Sequence, residues 1–304
     1  MAALTKPGKS TAKPTTTTVE LVVLTSGRDT TRCRRLADRK PVTLTARGGA
    51  LLVPGHVATI HVRSERKLAT RLRIDGDVVG VRTGLDAFAL PPWQPTPFEM
   101  WNPAEEEWLE TLDPPFRAKL LARGPRMMFE MVQILPGRGN DPSDWDDPII
   151  EAVELKELGD VTGAWLHLMK LLGRDIRCID AHVHLGNLIF DIEETLPTAC
   201  AHYEIAVRLG EHQLGEDFDG VLPWGLIDNR PFLRGMHGFA LTCWRLGAFA
   251  AAQELLERLL WLCPWDNLGV RMILPAVHAR EPWRDDELVE PPPPPTRGRR
   301  QHIH

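Results

Sequence analysis

The sequence predicts an α+β protein in which a small N-terminal antiparallel β domain precedes an all-α C-terminal domain. Short β-branched segments separated by turn residues occupy the chain up to about residue 90. From residue 148 the apolar residues recur at helical spacing. The charge divides in the same way, because residues 1–84 contain 16 Lys+Arg and 6 Asp+Glu, whereas the rest of the chain contains 20 and 35. We therefore expect two segments of different construction.

The composition excludes several protein classes. The chain has 304 residues, of which 43% are hydrophobic and 25% charged, as in globular proteins with real cores. It has neither a long apolar run for a membrane span nor a secretory signal near Met1, so we expect a cytoplasmic protein without membrane contact. The odd number of cysteines, without Cys-x-x-Cys spacing, argues against a disulfide framework and a zinc ribbon.

The first 90 residues are predicted to form a disordered tail and a β domain. Residues 1–18 are mostly Thr, Lys, Pro, Ser and Gly, which favours disorder. Residues 19–90 are predicted as the β domain, with strands at 19–24, 42–45, 57–62, 71–74 and 78–81. Turn residues at Gly48-Gly49, Pro54-Gly55 and Asp75-Gly76-Asp77 separate them, and this spacing predicts a small barrel or a curled antiparallel sheet. His56 and His61 are predicted at its surface.

The basic charge of the β domain leaves a nucleic-acid interpretation open. The candidate contacts are the cationic residues between positions 32 and 40, together with the arginine-rich strands from Arg63 to Arg73. The first group comprises Arg32, Arg34, Arg35, Arg39 and Lys40. Arginines on a small sheet are also commonly just solvated, and the acidic remainder argues against DNA binding along the whole molecule.

Residues 91–147 are predicted to be a connector with short helices. They are rich in proline, tryptophan and acidic residues. Asn102 and Pro103 are typical of the cap and first position of a helix that would run through Trp108. The tryptophans are expected to anchor the connector onto the two flanking domains.

Three segments between residues 148 and 282 align with one another. Each has a small residue in a first helix, a turn, an alanine that opens a second helix, and large residues after it. The aligned positions include Ala152, Gly159, Ala164 and Leu168; Gly186, Ala199 and Tyr203; and Ala240, Gly247, Ala252, Leu256 and Pro264. This pattern resembles the tetratricopeptide repeat (TPR), a helix-turn-helix of 34 residues. The whole arrangement is similar to uncharacterised bacterial proteins that join an N-terminal β-rich segment to C-terminal TPR-like helices.

The resemblance implies a TPR-like helical repeat domain with a groove for a peptide or a partner protein. The family's groove positions correspond to Asn187, Asp191, Arg234, His237, Trp244 and Arg245, and in the first copy to Val153, Lys156 and Glu157. Asn side chains pair with peptide backbones, and Arg binds carboxylates. The alternative is that these are ordinary exposed helix residues.

An insertion at about residues 212–231 separates the second and third copies. It is hydrophobic, and its glycines and prolines exclude a continuous helix, so it is expected to fold over one face. Its candidate functional residues are Trp224, Asp228, Asn229 and Arg230. They could close the groove, or Asp228 or Asn229 could cap the helix that begins at Arg230-Pro231. Residues 283–304 are predicted to be a proline-rich basic tail.

The stretch Asp180-Ala-His182-Val-His184 looks like a metal-hydrolase signature. Residues two apart share a face on a strand, but on a helix they point about 200° apart and cannot bind one metal together. A hydrolase barrel takes about 250 residues, and only 120 follow His184. We therefore predict a non-catalytic interaction or scaffold protein with no metal and no cofactor. A nucleic-acid-associated adaptor is the first alternative, and a metal-dependent hydrolase is the second.

Overall fold

The computed structural model describes residues 17–27, 29–47, 52–68, 71–137 and 147–284. The predicted tails lie outside these ranges, except for residues 17–18 at one end and 283–284 at the other. The predicted turn at Gly48-Gly49 and the end of the connector are also outside them. The described chain contains an N-terminal β barrel, a connector and a helical region, and the α+β class is confirmed.

The barrel has five strands. They are β1 (Thr18–Ser26), β2 (Thr31–Arg35), β3 (Pro41–Arg47), β4 (His56–Lys67) and β5 (Leu72–Thr83). The strands close in the order β1-β2-β3-β5-β4, and β1 pairs with β4. All pairs are antiparallel except β3 with β5, which is parallel, so the expectation of an entirely antiparallel domain is wrong at that pair. Alternate apolar side chains of all five strands fill the interior.

Two further features of the barrel differ from the sequence prediction. β5 is one strand where two were expected, because Gly76 lies inside it and not in a turn. A Cβ on Gly76 would lie 2.5 Å from the His61 carbonyl oxygen, so the glycine permits the close approach of β4. β2 was not predicted, because Cys33 is its only buried residue and the other four are polar.

The connector contains a second, two-stranded sheet. β6 (Thr96–Trp101) pairs antiparallel with β7 (Arg126–Glu130), and α1 (Pro114–Arg123) lies between them in the chain. Neither strand was predicted. Asn102 accepts a hydrogen bond from the Ala104 backbone N–H at 3.2 Å, as a cap does, but the segment forms two short 3₁₀ turns and not an α-helix. The rings of Trp101 and Trp108 pack against Trp265 of the helical region.

Seven α-helices follow the connector within residues 147–284. They are α2 (Pro148–Glu157), α3 (Val161–Arg174), α4 (Ile179–Ile189), α5 (Leu196–Leu214), α6 (Arg230–Arg245), α7 (Phe249–Leu262) and α8 (Val270–His278). Each helix packs against the next one, and α4 also packs against α6. Gly159 and Gly247 end α2 and α6 with φ angles of +81° and +75°, a backbone conformation that favours glycine. None of the helices in this described region is both long and apolar enough to cross a lipid bilayer.

One end of the barrel rests on the helices. Gly55, with φ +98°, lies against Ile205 of α5 and has no room for a Cβ. Thr83 at the end of β5 donates a hydrogen bond to the Glu204 carboxylate at 3.0 Å. His56 begins β4 inside this junction and is 7% exposed, so the prediction that it lies at the surface is wrong. Its burial lowers the pKa of His56 to about 4.

Candidate functional site

Four of the six predicted groove residues line one depression between α4 and α6. Asn187 and Asp191 come from α4 and the turn after it, whereas Arg234 and His237 come from α6. The depression has a volume of about 390 Å³, and its remaining lining is Phe190, Tyr203, Gly238, Leu241 and Leu268. We call this depression the groove. Its walls are the first helices of the second and third aligned segments.

Tyr203 of α5 forms the floor of the groove. A Cβ on Gly186 would lie 2.7 Å from the Tyr203 ring, and one on Gly238 would lie 2.4 Å from it. The two glycines therefore form a slot in which the ring packs directly against α4 and α6. The Tyr203 hydroxyl donates a hydrogen bond of 2.6 Å to the Asn187 side-chain oxygen. Burial raises the pKa of Tyr203, so the hydroxyl remains a donor and orients the Asn187 amide at the groove wall.

Arg234 already has a carboxylate partner within the chain. Its guanidinium donates a hydrogen bond of 2.8 Å to Asp180, whose side chain is 8% exposed. Burial raises the pKa of Asp180, and the charge of Arg234 opposes that rise. The Arg234 Nε is buried and has no hydrogen-bond partner among the described atoms. Arg234 therefore lines the groove as one member of an ion pair and not as a lone cation.

Trp244 and Arg245 lie at the C-terminal end of α6, beyond the lining of the groove. The Trp244 ring contacts the Trp283 ring with centroids 4.9 Å apart. The Arg245 guanidinium lies over the Phe190 ring at 4.9 Å and donates a hydrogen bond of 2.6 Å to the Phe190 carbonyl. Phe190 connects these two residues to the groove. The structure therefore brings four of the six residues together and places the other two beside them, covered by the segment that follows α8.

The first aligned segment extends the groove. Val153, Lys156 and Glu157 of α2 line a second depression of about 260 Å³. Asn187 lines both depressions, and His184 also lines the second one. The predicted groove residues of all three aligned segments therefore follow one surface across α2, α4 and α6.

The insertion docks onto the connector and not onto the groove. The backbone of Val221 donates to Met127 and accepts from Phe129, both at 2.9 Å, which extends the β6–β7 sheet. Trp224 packs under the Arg230 guanidinium at 5.3 Å. The Asp228 carboxylate accepts a hydrogen bond of 3.1 Å from Gln133. The contacts of Val221 and Asp228 hold the insertion to residues 127–133, whereas Trp224 packs within the insertion.

Asn229 occupies the N-cap position of α6, but its side chain does not cap the helix. It is fully buried, donates to the carbonyls of Phe129 and Pro223 at 2.9 Å, and accepts from the Met131 backbone N–H at 2.8 Å. The prediction of side-chain capping by Asn229 is therefore wrong. The Asn229 side-chain amide makes two hydrogen bonds to the connector residues Phe129 and Met131 and none to the end of α6.

Arg126 is a buried cation that the sequence did not reveal. It is 1% exposed and donates to the carbonyls of Asp219, Gly220 and Trp261 at 3.0, 2.6 and 2.8 Å. Its guanidinium also lies 4.1 Å from the centroid of the Trp261 ring. Burial lowers the pKa of Arg126 to about 10, so it stays charged at neutral pH. The sequence could not reveal this site, because a single arginine forms no recognisable motif and its partners lie more than 90 residues away in the chain.

The two histidines of the metal-like motif lie in α4 and have different surroundings. His182 is completely buried, and its Nδ1 lies 3.1 Å from the Nδ1 of His202 in α5. Burial lowers the pKa of His182 to about 3 and that of His202 well below its usual value. Both rings are therefore neutral, and one Nδ1–H donates to the other Nδ1. His184 is partly exposed and lies 3.6 Å from Asp180. The described residues contain no group of three or more His, Cys, Asp or Glu side chains placed to hold a metal.

Three of the five cationic residues between positions 32 and 40 make polar contacts within the chain. Arg35 donates two hydrogen bonds to Asp38 at 2.9 and 2.7 Å, and Lys40 lies 3.1 Å from the same carboxylate. The hydrogen bond from Arg35 holds the pKa of Asp38 well below its usual range. Arg34 donates to the Ala87 carbonyl at 2.8 Å. The remaining two candidates, Arg32 and Arg39, are exposed.

Comparison with known proteins gives no family for this chain. No protein-family model matches it, and no curated protein matches it.

Proposed function

We propose that this chain is a non-catalytic interaction protein that holds a peptide segment of a partner protein in the groove. The observation that carries the proposal is the convergence of Asn187, Asp191, Arg234 and His237 on one depression of about 390 Å³. The helix pairs, the glycine turns at Gly159 and Gly247, and the glycine crossings at the tyrosine ring support a TPR-like organisation.

The chemistry of the groove suits an extended peptide. Asn187 supplies an oriented amide, whose nitrogen makes no hydrogen bond within the described part of the chain, and such an amide can pair with a peptide backbone. Phe190 and Leu241 supply apolar surface beside it. Because Arg234 is neutralised by Asp180, we expect an internal peptide segment and not a free C-terminal carboxylate to be the ligand.

The proposal is tested by comparing partners captured from the native host. The full chain, an Asn187→Ala/His237→Ala double variant and a Gln253→Ala/His278→Ala double variant are used as baits. Gln253 and His278 lie on α7 and α8, outside the groove, and serve as a matched control. We expect the groove variant to lose a partner that the wild type and the control retain, and direct binding to the purified partner should fall in the same way. The same partners at the same yield for all three baits would refute the proposal.

The nucleic-acid alternative has less support, because Arg35, Lys40 and Arg63 form ion pairs within the barrel. Its favourable feature is the exposure of Arg32 and Arg39 on β2 and the turn after it. We expect the wild type and an Arg32→Glu/Arg39→Glu variant to have the same low affinity for a single-stranded oligonucleotide at physiological salt. A higher wild-type affinity that falls steeply with salt and is abolished by the charge reversal would favour this alternative.

A further inference from the structure

The end of the groove at the C-termini of α4 and α6 is covered by the chain's own residues Ala279–Arg284, which we call the strap. The strap begins at a sharp reversal after α8. Arg280 has φ +55°, a left-handed conformation that non-glycine residues rarely adopt. Hydrogen bonds from Arg280 N–H to Val277 and from Glu281 N–H to Ala276, at 3.0 and 2.9 Å, close the reversal. The backbone then runs back over the end of α6.

The strap places Trp283 in a box made by Phe190, Trp244 and Arg245. The Trp283 ring meets Trp244 and Phe190 nearly edge-on, with centroid distances of 4.9 and 6.1 Å and interplanar angles of 79° and 80°. The Arg245 guanidinium lies 5.5 Å from the Trp283 ring. Trp244 also donates its indole N–H to the Glu281 carbonyl at 2.7 Å. Edge-to-face ring contacts and a cation over a ring face are the interactions by which an aromatic side chain is recognised.

We propose that this box is the subsite for an aromatic side chain of the partner's peptide, and that the strap is an internal competitor that the partner displaces. This inference rests on the proposed function. Phe190 lines the groove and also packs against Trp283 in the box, so the two sites are adjacent. The ligand is an extended peptide segment that carries a tryptophan or a similar ring.

The hold of the strap on the box is limited. Glu281, Pro282 and Arg284 are exposed, so Trp283 supplies most of the burial. Displacement therefore exchanges one aromatic ring for another in the same box.

Although its contacts are few, the strap has an advantage over a free peptide because it is tethered. A tethered segment has an effective concentration in the millimolar range, which a free peptide of equal intrinsic affinity must exceed. The box should consequently be closed to a free peptide in the wild type and open when the strap's own ring is removed.

The experiment uses the full chain with Trp283→Ala and, as a probe, the synthetic peptide Ala-Arg-Glu-Pro-Trp-Arg, which has the sequence of the strap. Binding is measured by titration followed by NMR, after circular dichroism has shown that each variant is folded. We expect the variant to bind the probe at least about tenfold more tightly than the wild type does. The probe with alanine in place of tryptophan should not bind, and adding Trp244→Ala to the variant should abolish binding.

Trp224→Ala is the matched control, since it removes a half-buried tryptophan from the insertion, outside the box. It should behave as the wild type. Equal binding of the probe by the wild type and Trp283→Ala, or no binding by Trp283→Ala at about 1 mM probe, overturns the inference. The titration needs no natural partner. If the titration fails but the groove variant loses a captured partner, only the aromatic subsite is refuted. If the titration succeeds but the groove variant captures the same partners as the wild type, only the proposed function is refuted.

Discussion

Acidification is expected to destabilise this protein through the buried histidine pair of α4 and α5. His182 and His202 are 0% exposed, and their Nδ1 atoms are 3.1 Å apart. Both Nε2 atoms are buried and have no hydrogen-bond partner in the described structure. A second proton on either ring would therefore gain no hydrogen bond. Protonation therefore favours the unfolded chain, in which both rings are hydrated.

The direction and magnitude of this destabilisation follow from the pKa of His182, which burial lowers from 6.5 to about 3. Below pH 6.5 the unfolded histidine takes up a proton while the folded one remains neutral, so the stabilisation present above pH 6.5 is lost as the pH falls towards 3. At pH 5 the loss from His182 alone is about 2 kcal/mol. His202 adds to the loss in the same direction. For a domain with a free energy of unfolding of about 5–15 kcal/mol, this is a large fraction.

The assay is urea unfolding at pH 7.5 and pH 5.0, with the free energy of unfolding compared between variants. A His182→Leu/His202→Leu variant replaces both partners with apolar side chains of similar volume, which leaves no unpaired polar group. We expect the wild type to lose at least about 2 kcal/mol more than this variant does between the two pH values. His278→Leu, at an exposed position, should lose as much free energy of unfolding between the two pH values as the wild type does. Equal losses in the wild type and the double variant would show that the pair does not cause the acid sensitivity.

Two further predictions concern packing. Arg126→Met should lower the free energy of unfolding by about 2–4 kcal/mol, because three backbone carbonyls lose the buried guanidinium that donates to them. Arg123→Met, a change at a half-exposed guanidinium, should cost less than about 1 kcal/mol. Similar urea midpoints for the two variants would contradict the role of the buried cation. Gly238→Ala should cost about 1–3 kcal/mol, since its Cβ would lie 2.4 Å from the tyrosine ring. Gly225→Ala, which has no neighbour within 4 Å, should leave thermal unfolding nearly unchanged, and an equally stable Gly238→Ala would exclude the tight slot.

Local patterns were sufficient to predict the helical region. The apolar spacing after residue 148 and the glycines at 159 and 247 locate α2, α3, α6 and α7, because a helix and its end depend on residues within a few positions of one another. The resemblance to the TPR pattern placed Asn187 and His237 at groove positions, and both line the depression between α4 and α6. The barrel was predicted less completely. Gly76 resembles a turn residue unless the backbone of β4 lies next to it, and β2 becomes a strand only through pairing with β1 and β3.

The sequence by itself determined the α+β fold class and the helix pairs, and its resemblance to the TPR pattern located four of the nine residues that line the groove. Only the tertiary structure decided which charges and rings meet. Asp180 neutralises Arg234 across 54 residues, His182 meets His202 across 20, and Trp283 covers Trp244 after the chain reverses at Arg280. The reason is physical. Propensity and periodicity act over one or two helical turns, whereas these contacts depend on how helices pack and on where the chain returns after it leaves them.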